Sequence, residues 1–136
     1  MTAGYSGTPL PRKLGIKEGH RVGLWSAPET FMSTLGELPH GVSLTVGRLR
    51  PPLDVIVAFF TERRVLERRL PGLIGAMDRA GGLWIAWPKR ASGVSSDIGE
   101  GVVRELALAA GLVDNKVCAI DETWSGLRLV IRLRDR

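Results

Sequence analysis

Apolar and polar positions along the chain follow two alternating patterns. Short continuous apolar runs, as in strands buried on both faces, occupy 22–25, 42–46, 54–60, 83–87 and 117–120. Between them, apolar residues recur every three or four positions, as on a helix with one buried side. Pro28 to Leu35 suits a helix, with Pro28 at its first position, Glu29 in its first turn and Gly36 as its stop. After Thr61, which is placed to cap, Val65, Leu66, Leu70, Leu73, Ile74 and Met77 trace a second helix, with Pro71 expected to kink or restart it. Ile98, Val102, Val103, Leu106 and Ala110 trace a third, opened by Asp97 and Glu100 in capping-box spacing and stopped by Gly111.

Punctuation supports the same division. Pro39 and Gly41 make a turn, Gly81 and Gly82 close the second helix, and 121–126 reads as a hairpin turn before a last strand at 127–133. In that strand Leu127, Leu129, Ile131 and Leu133 alternate with Arg128, Val130 and Arg132, which suits a place near the sheet edge. Strand–helix alternation implies right-handed crossovers onto a parallel sheet, and the short final turn implies an antiparallel pair. The expected fold is therefore α/β: a Rossmann-like three-layer sandwich of about six strands, mostly parallel, with an antiparallel C-terminal hairpin. Residues 14–136 would form a single domain and 1–13 an extended N-terminal tail, with Gly4, Gly7, Pro9 and Pro11 spaced along it.

Composition narrows the function classes. A length of 136 residues with 44% apolar and 24% charged positions describes one globular domain that builds its core without staples. The one cysteine, Cys118, excludes an internal disulfide framework and a cysteine-rich zinc site, and points to a reducing, cytoplasmic setting. Cys118 itself, mid-strand beside Val117 and Ile120, reads as inert packing. His20 and His40 lie far apart without a ligand-spaced carboxylate, so no metal site is expected. No apolar stretch approaches the roughly 18 residues of a membrane span, and the first residues lack the apolar core of a signal peptide.

The formal charge is +5, with arginines gathered at 63, 64, 68 and 69 and at 128, 132, 134 and 136. A nucleic-acid surface would interleave exposed aromatics with such residues. Here three of the four tryptophans lie in or beside apolar strands, so nucleic acid is disfavoured. The Arg-rich helix reads as a solvated face with local ion pairs such as Arg63–Glu67.

Three stretches carry a resemblance. They are Tyr5-Ser-Gly-Thr-Pro-Leu10 with Lys13-Leu-Gly-Ile-Lys17, Gly81-Gly-Leu-Trp-Ile-Ala-Trp-Pro-Lys-Arg-Ala-Ser-Gly-Val-Ser-Ser-Asp97, and Val113-Asp-Asn-Lys-Val-Cys-Ala-Ile-Asp-Glu-Thr-Trp-Ser-Gly-Leu-Arg128. Together these resemble a bacterial family of short proteins of unknown function, over nearly the whole chain. The order of elements is also similar to the later half of class I methyltransferases. That likeness implies a Rossmann-like sheet with an antiparallel final strand, and a cofactor approached through a glycine-rich turn after the first strand. The chain departs from the pattern there: the turn reads Trp25-Ser-Ala-Pro-Glu29, and Val46-Gly-Arg48 stands where an acidic residue is expected at the end of the second strand. One strand–helix unit is missing as well. No cofactor is expected on this reading.

In open parallel sheets ligands bind beyond the carboxyl ends of the strands, which selects 26–29, 61–64, 88–97 and 121–125. In the loop at 88–97, Lys89, Arg90, Ser92, Ser95 and Ser96, with Gly93 free to bend, lead into a helix start and compose an anion cradle. The competing account is an ordinary capped loop. No Gly-x-x-x-x-Gly-Lys-Ser/Thr pattern is present, which argues against a nucleotide P-loop. In the hairpin turn, Asp121, Glu122, Thr123, Trp124 and Ser125 form a second candidate set, although turn chemistry alone favours such residues. Neighbouring carboxylates on a strand end point opposite ways, so no catalytic pair is assigned. The leading expectation is a noncatalytic binding or regulatory module for a small anionic ligand. The alternatives are a divergent methyltransferase-like enzyme, and an interaction subunit that meets a protein partner or a second copy through its sheet edge or Arg-rich helix.

Overall fold

The computed structural model describes residues 7–136. Six strands form one sheet: β1 (Arg21–Trp25), β2 (Ser43–Val46), β3 (Leu53–Phe59), β4 (Met77–Pro88), β5 (Leu112–Ala119) and β6 (Trp124–Ile131). Their spatial order is β2-β1-β3-β4-β6-β5. The first four run parallel; β6 is antiparallel to both β4 and β5. Four helices accompany them: α1 (Leu10–Lys13), α2 (Phe31–Leu35), α3 (Arg63–Ala76) and α4 (Glu100–Ala109). This is the expected three-layer α/β sandwich with a closing antiparallel hairpin.

Alternation along β3 divides the core in two. Ile56 and Ala58 face α3 and α4 and meet Leu66, Leu70, Leu73, Val103 and Ala107. Val55, Val57 and Phe59 face α1 and α2 and meet Leu10, Leu14, Phe31 and Leu35. A strand buried on both faces needs apolar residues at every position, which is why 54–60 reads as an unbroken run. Trp84 is the largest fully buried side chain, and its indole N–H donates to the Leu14 carbonyl at 2.9 Å. That bond pins the N-terminal segment across the sheet.

Several local expectations are corrected. Leu10–Lys13 is helical rather than extended, because Leu10 and Pro11 are buried beside α2. Residues 1–6 lie outside the described range. α2 starts at Phe31, three residues beyond Pro28, whose carbonyl accepts the Phe31 N–H at 2.9 Å. α3 runs unbroken through Pro71. Gly81 and Gly82 do not close it; they belong to β4, where the register against β3 jumps from Leu53–Met77 to Val55–Gly82. Gly81 sits in that irregularity so near the backbone that a Cβ would lie 2.8 Å from the Asp54 carbonyl oxygen. β6 is next to last in the sheet, near the edge as expected, with Leu127 and Leu129 essentially inaccessible, and β5 takes the edge itself. Cys118 is half-buried, and burial pushes its thiol pKa up more than the nearby Lys13 and Lys116 pull it down, as suits an inert thiol.

Candidate functional site

The parallel strands aim Trp25, Val46, Phe59 and Pro88 at one rim, the carboxyl edge of the sheet. The β5–β6 turn reaches the same rim, since Pro88 pairs with Trp124. There the Lys89 N–H donates to the Thr123 carbonyl at 2.7 Å. The two polar segments singled out from the sequence, 88–97 and 121–125, therefore meet.

Most of their polar groups are engaged in closing the backbone. Ser92 Oγ donates to the Lys89 carbonyl at 2.6 Å and accepts the Val94 N–H. Ser96 Oγ donates to the Thr61 carbonyl at 2.8 Å and accepts the Ile98 N–H. Arg90–Ser92 forms a single 3-10 turn, and Gly93 takes the left-handed conformation, φ 79°, that closes it. Asp97 caps a different helix from the one expected: its Oδ1 accepts the Arg63 N–H at 2.7 Å, at the start of α3. Thr61 does not cap α3, and α4 opens from Gly99 without a side-chain cap, Glu100 pairing instead with Arg104 at 2.6 Å. The expected capping box and the cradle at the start of α4 are thus replaced by a strap joining the Pro88–Asp97 loop to the β3–α3 junction. Lys89, Arg90 and Ser95 form no side-chain hydrogen bond or ion pair among the described residues.

The hairpin turn is built likewise. Asp121 Oδ1 accepts the N–H groups of Thr123 and Trp124 at 2.8 and 2.7 Å, an Asx turn. Ser125 lies in the ladder opposite Trp87 and Ala119. Glu122 lies exposed in the same turn. Trp124 lays its ring edge-on to Phe59 at 5.1 Å, and Phe59 meets Phe31 at 5.0 Å.

Between β1 and β3 the rim holds a cavity of about 210 Å³, lined by Trp25, Ser26, Phe60, Thr61, Glu62 and Trp124 among others. Of the two candidate residue sets in 88–97 and 121–125, Trp124 alone lines it, while Ser26, Thr61 and Glu62 belong to the other two rim segments selected from the sequence. The Trp25 ring stacks on Phe60 at 4.9 Å, and the Arg69 guanidinium lies 5.5 Å from the Trp25 ring centre. Ser26 turns the chain here with φ 56°, the one non-glycine left-handed residue among those described. Such a bend costs a side-chain-bearing residue about 1 kcal/mol or more. Trp25 and Phe60 escaped the sequence reading because apolar residues at strand ends look like core.

A second, larger cavity of about 490 Å³ opens at the opposite edge, between the start of β3, the irregular part of β4 and the outer strands β6 and β5. Its residues were not anticipated as a site. Among the described residues no group of three or more His, Cys, Asp or Glu is placed to hold a metal ion. No described helix is long and apolar enough to cross a membrane.

The fold is similar to that of solved methyltransferase structures. A SAM-dependent methyltransferase from Aquifex aeolicus aligns over 89% of this chain and 87% of its own, with TM-score 0.63 and 16% identity. The fibrillarin pre-rRNA processing protein of Methanococcus jannaschii aligns over 91% of this chain and 69% of its own, with TM-score 0.61 and 12% identity. The magnesium protoporphyrin IX methyltransferase of Synechocystis PCC 6803, with SAM bound, aligns over 90% and 74%, with TM-score 0.59 and 10% identity. At these identities the likeness is one of fold. No family model matches the chain, and no curated protein sequence matches it, so the resemblance to a bacterial family of short proteins gains no support from either.

The rim does not fit S-adenosylmethionine in the manner of the glycine-rich turn. The turn after β1 offers no glycine, Pro28 has no N–H to donate, and Arg48 rather than a carboxylate follows β2. The cavity of about 210 Å³ is also smaller than the ~300–1,000 Å³ usual for small-molecule sites.

Proposed function

We propose that the chain is a divergent methyltransferase-like protein whose carboxyl rim takes a small ligand between Trp25 and Trp124. The observation that carries this reading is the position of the aromatic cavity: it lies at the edge where open α/β sheets bind ligands, on a sheet whose structural neighbours are methyltransferases. The left-handed Ser26 supports it, because the chain keeps a sharp bend after β1 at an energetic cost although glycine is absent. These neighbours favour the methyltransferase-like reading over the noncatalytic module expected from the sequence.

The second reading, a noncatalytic module for a small anionic ligand, is favoured by a different observation. Lys89 and Arg90 stand on the same rim without ion-pair partners among the described residues, and Arg48 would repel a sulfonium cation. Titration with S-adenosylhomocysteine, followed through the indole N–H signals of 15N-labelled protein, separates the two. S-adenosylhomocysteine lacks the sulfonium charge that Arg48 would repel, and on the methyltransferase-like reading saturable shifts at Trp25 and Trp124 are expected. Unmoved signals up to millimolar concentration, with a rise in melting temperature on adding citrate that Lys89→Ala abolishes, would leave the noncatalytic module standing instead.

A further inference from the structure

We infer that the cavity at the amino edge of the sheet is a second ligand site, built to receive a phosphate-bearing small molecule on Arg128. At this edge, away from the carboxyl rim, one charge lacks a counter-charge. Arg128 sits in the middle of β6, opposite Trp84, and its guanidinium occupies the space beside Gly82 of β4. A Cβ at residue 82 would fall 2.5 Å from the Arg128 Nε, so the glycine makes the slot that the guanidinium occupies. The group is half-buried, and burial draws its pKa below the ordinary arginine value, with Arg136 adding to the effect. No carboxylate pairs with it among the described residues, and residues 1–6 contain no acidic side chain. A half-buried cation without a partner destabilises a fold, so its place in an interior strand calls for a ligand to supply the missing charge.

The surroundings point to the same chemistry. Lys13, Lys17 and Lys116 line the cavity with Arg128, against two carboxylates, Asp54 and Asp78. Arg21 already engages both carboxylates, bonding Asp54 at 3.0 Å and approaching Asp78 at 3.8 Å. The lysines that do form hydrogen bonds give them to neutral carbonyls: Lys13 Nζ to Ala119 at 3.1 Å and Lys116 Nζ to Lys13 at 2.7 Å. Their positive charges are thereby positioned but not neutralised. A planar guanidinium flanked by ammonium groups matches the paired oxygens of a phosphate. The volume of about 490 Å³ accommodates more than the phosphate alone.

Inorganic pyrophosphate is the probe, titrated into the full chain at constant ionic strength so that general screening does not change. The Trp84 indole reports on this site, because its N–H is bonded to Leu14, a residue of the cavity wall. A saturable shift of Trp84 is expected, with Trp25 and Trp124 unmoved. Arg128→Met should weaken binding at least about tenfold, the scale of one charge-assisted pair, and should melt no lower than the parent protein. Should Arg128→Met fail to fold, Arg128→Lys keeps the charge, loses the fork and should weaken binding several-fold. An unmoved Trp84 overturns the inference. So does unchanged affinity in the variant that folds, or a shift confined to Trp25 and Trp124, which would place the anion on the carboxyl rim.

Discussion

The two edges of one sheet use polar residues in opposite ways. At the carboxyl edge, Ser92, Ser96 and Asp121 look like ligand groups in the sequence, yet each is bonded to the backbone of its own rim. At the amino edge, Arg128, Lys17 and Lys116 look like surface charges, yet they gather around a cavity with few opposing carboxylates. Polar composition alone thus does not mark a site. What distinguishes these groups is whether the chain already uses them: the Ser92, Ser96 and Asp121 oxygens are bonded within it, whereas the Arg128 guanidinium has no counter-charge among the described residues.

That contrast is open to direct attack. The largest effect is expected at Trp84, in the core on the α1–α2 side of the sheet. Trp84→Ala removes a fully buried indole and frees the segment walling the amino-edge cavity, and should cost about 3–5 kcal/mol in chemical denaturation. A loss below about 1 kcal/mol would mean that the N-terminal segment is not held this way. Next come the carboxyl-edge carboxylates. Asp97→Ala should destabilise by about 1 kcal/mol, with up to about 2 within range, because the first turn of α3 loses its cap. Asp121→Ala should cost a similar amount by opening the Asx turn. If both variants melt like the parent, these groups are not structural and the comparison fails.

Ser26→Gly works in the other direction. Relief of the left-handed strain should stabilise the fold by up to about 1 kcal/mol, less the extra backbone entropy that glycine brings to the unfolded chain. A net destabilisation would show that the serine side chain itself is needed at the bend. The Arg21–Asp54 pair gives the amino edge a pH signature. Hydrogen bonding from the Arg21 guanidinium holds the Asp54 carboxyl below its usual pKa. Its contribution is therefore present above the ordinary carboxylate range and disappears as pH falls through the folded value. Melting temperatures of Asp54→Asn should fall less steeply than those of the parent on acidification; parallel curves would remove the pair from the account. The smallest effect is expected for Lys89→Ala, within about 0.5 kcal/mol of the parent, since its side chain holds nothing among the described residues.

Much of the fold was legible because strand burial and helix spacing are local patterns. The run 54–60 and the short turn before β6 led to a mixed six-stranded sheet, and the order of strands and helices brought the 88–97 and 121–125 segments to one edge. What was not legible depends on partners distant in sequence. Asp97 and Glu100 have the spacing of a local cap, but the N–H that Asp97 meets lies 34 residues earlier. Arg128 read as a surface charge, because a sequence does not reveal that Gly82 leaves room for a guanidinium inside a sheet. The aromatic cavity was hidden for a related reason: Trp25 and Phe60 end apolar strands, and only the assembled rim separates them from core.

The most direct test is one set of indole spectra recorded with two probes, because Trp25 and Trp124 stand at the carboxyl edge while Trp84 is tied to the wall of the amino-edge cavity. S-adenosylhomocysteine should move Trp25 and Trp124 and leave Trp84 in place, and pyrophosphate should do the reverse. Both probes moving the same indole would contradict the division of the molecule into two chemically distinct edges.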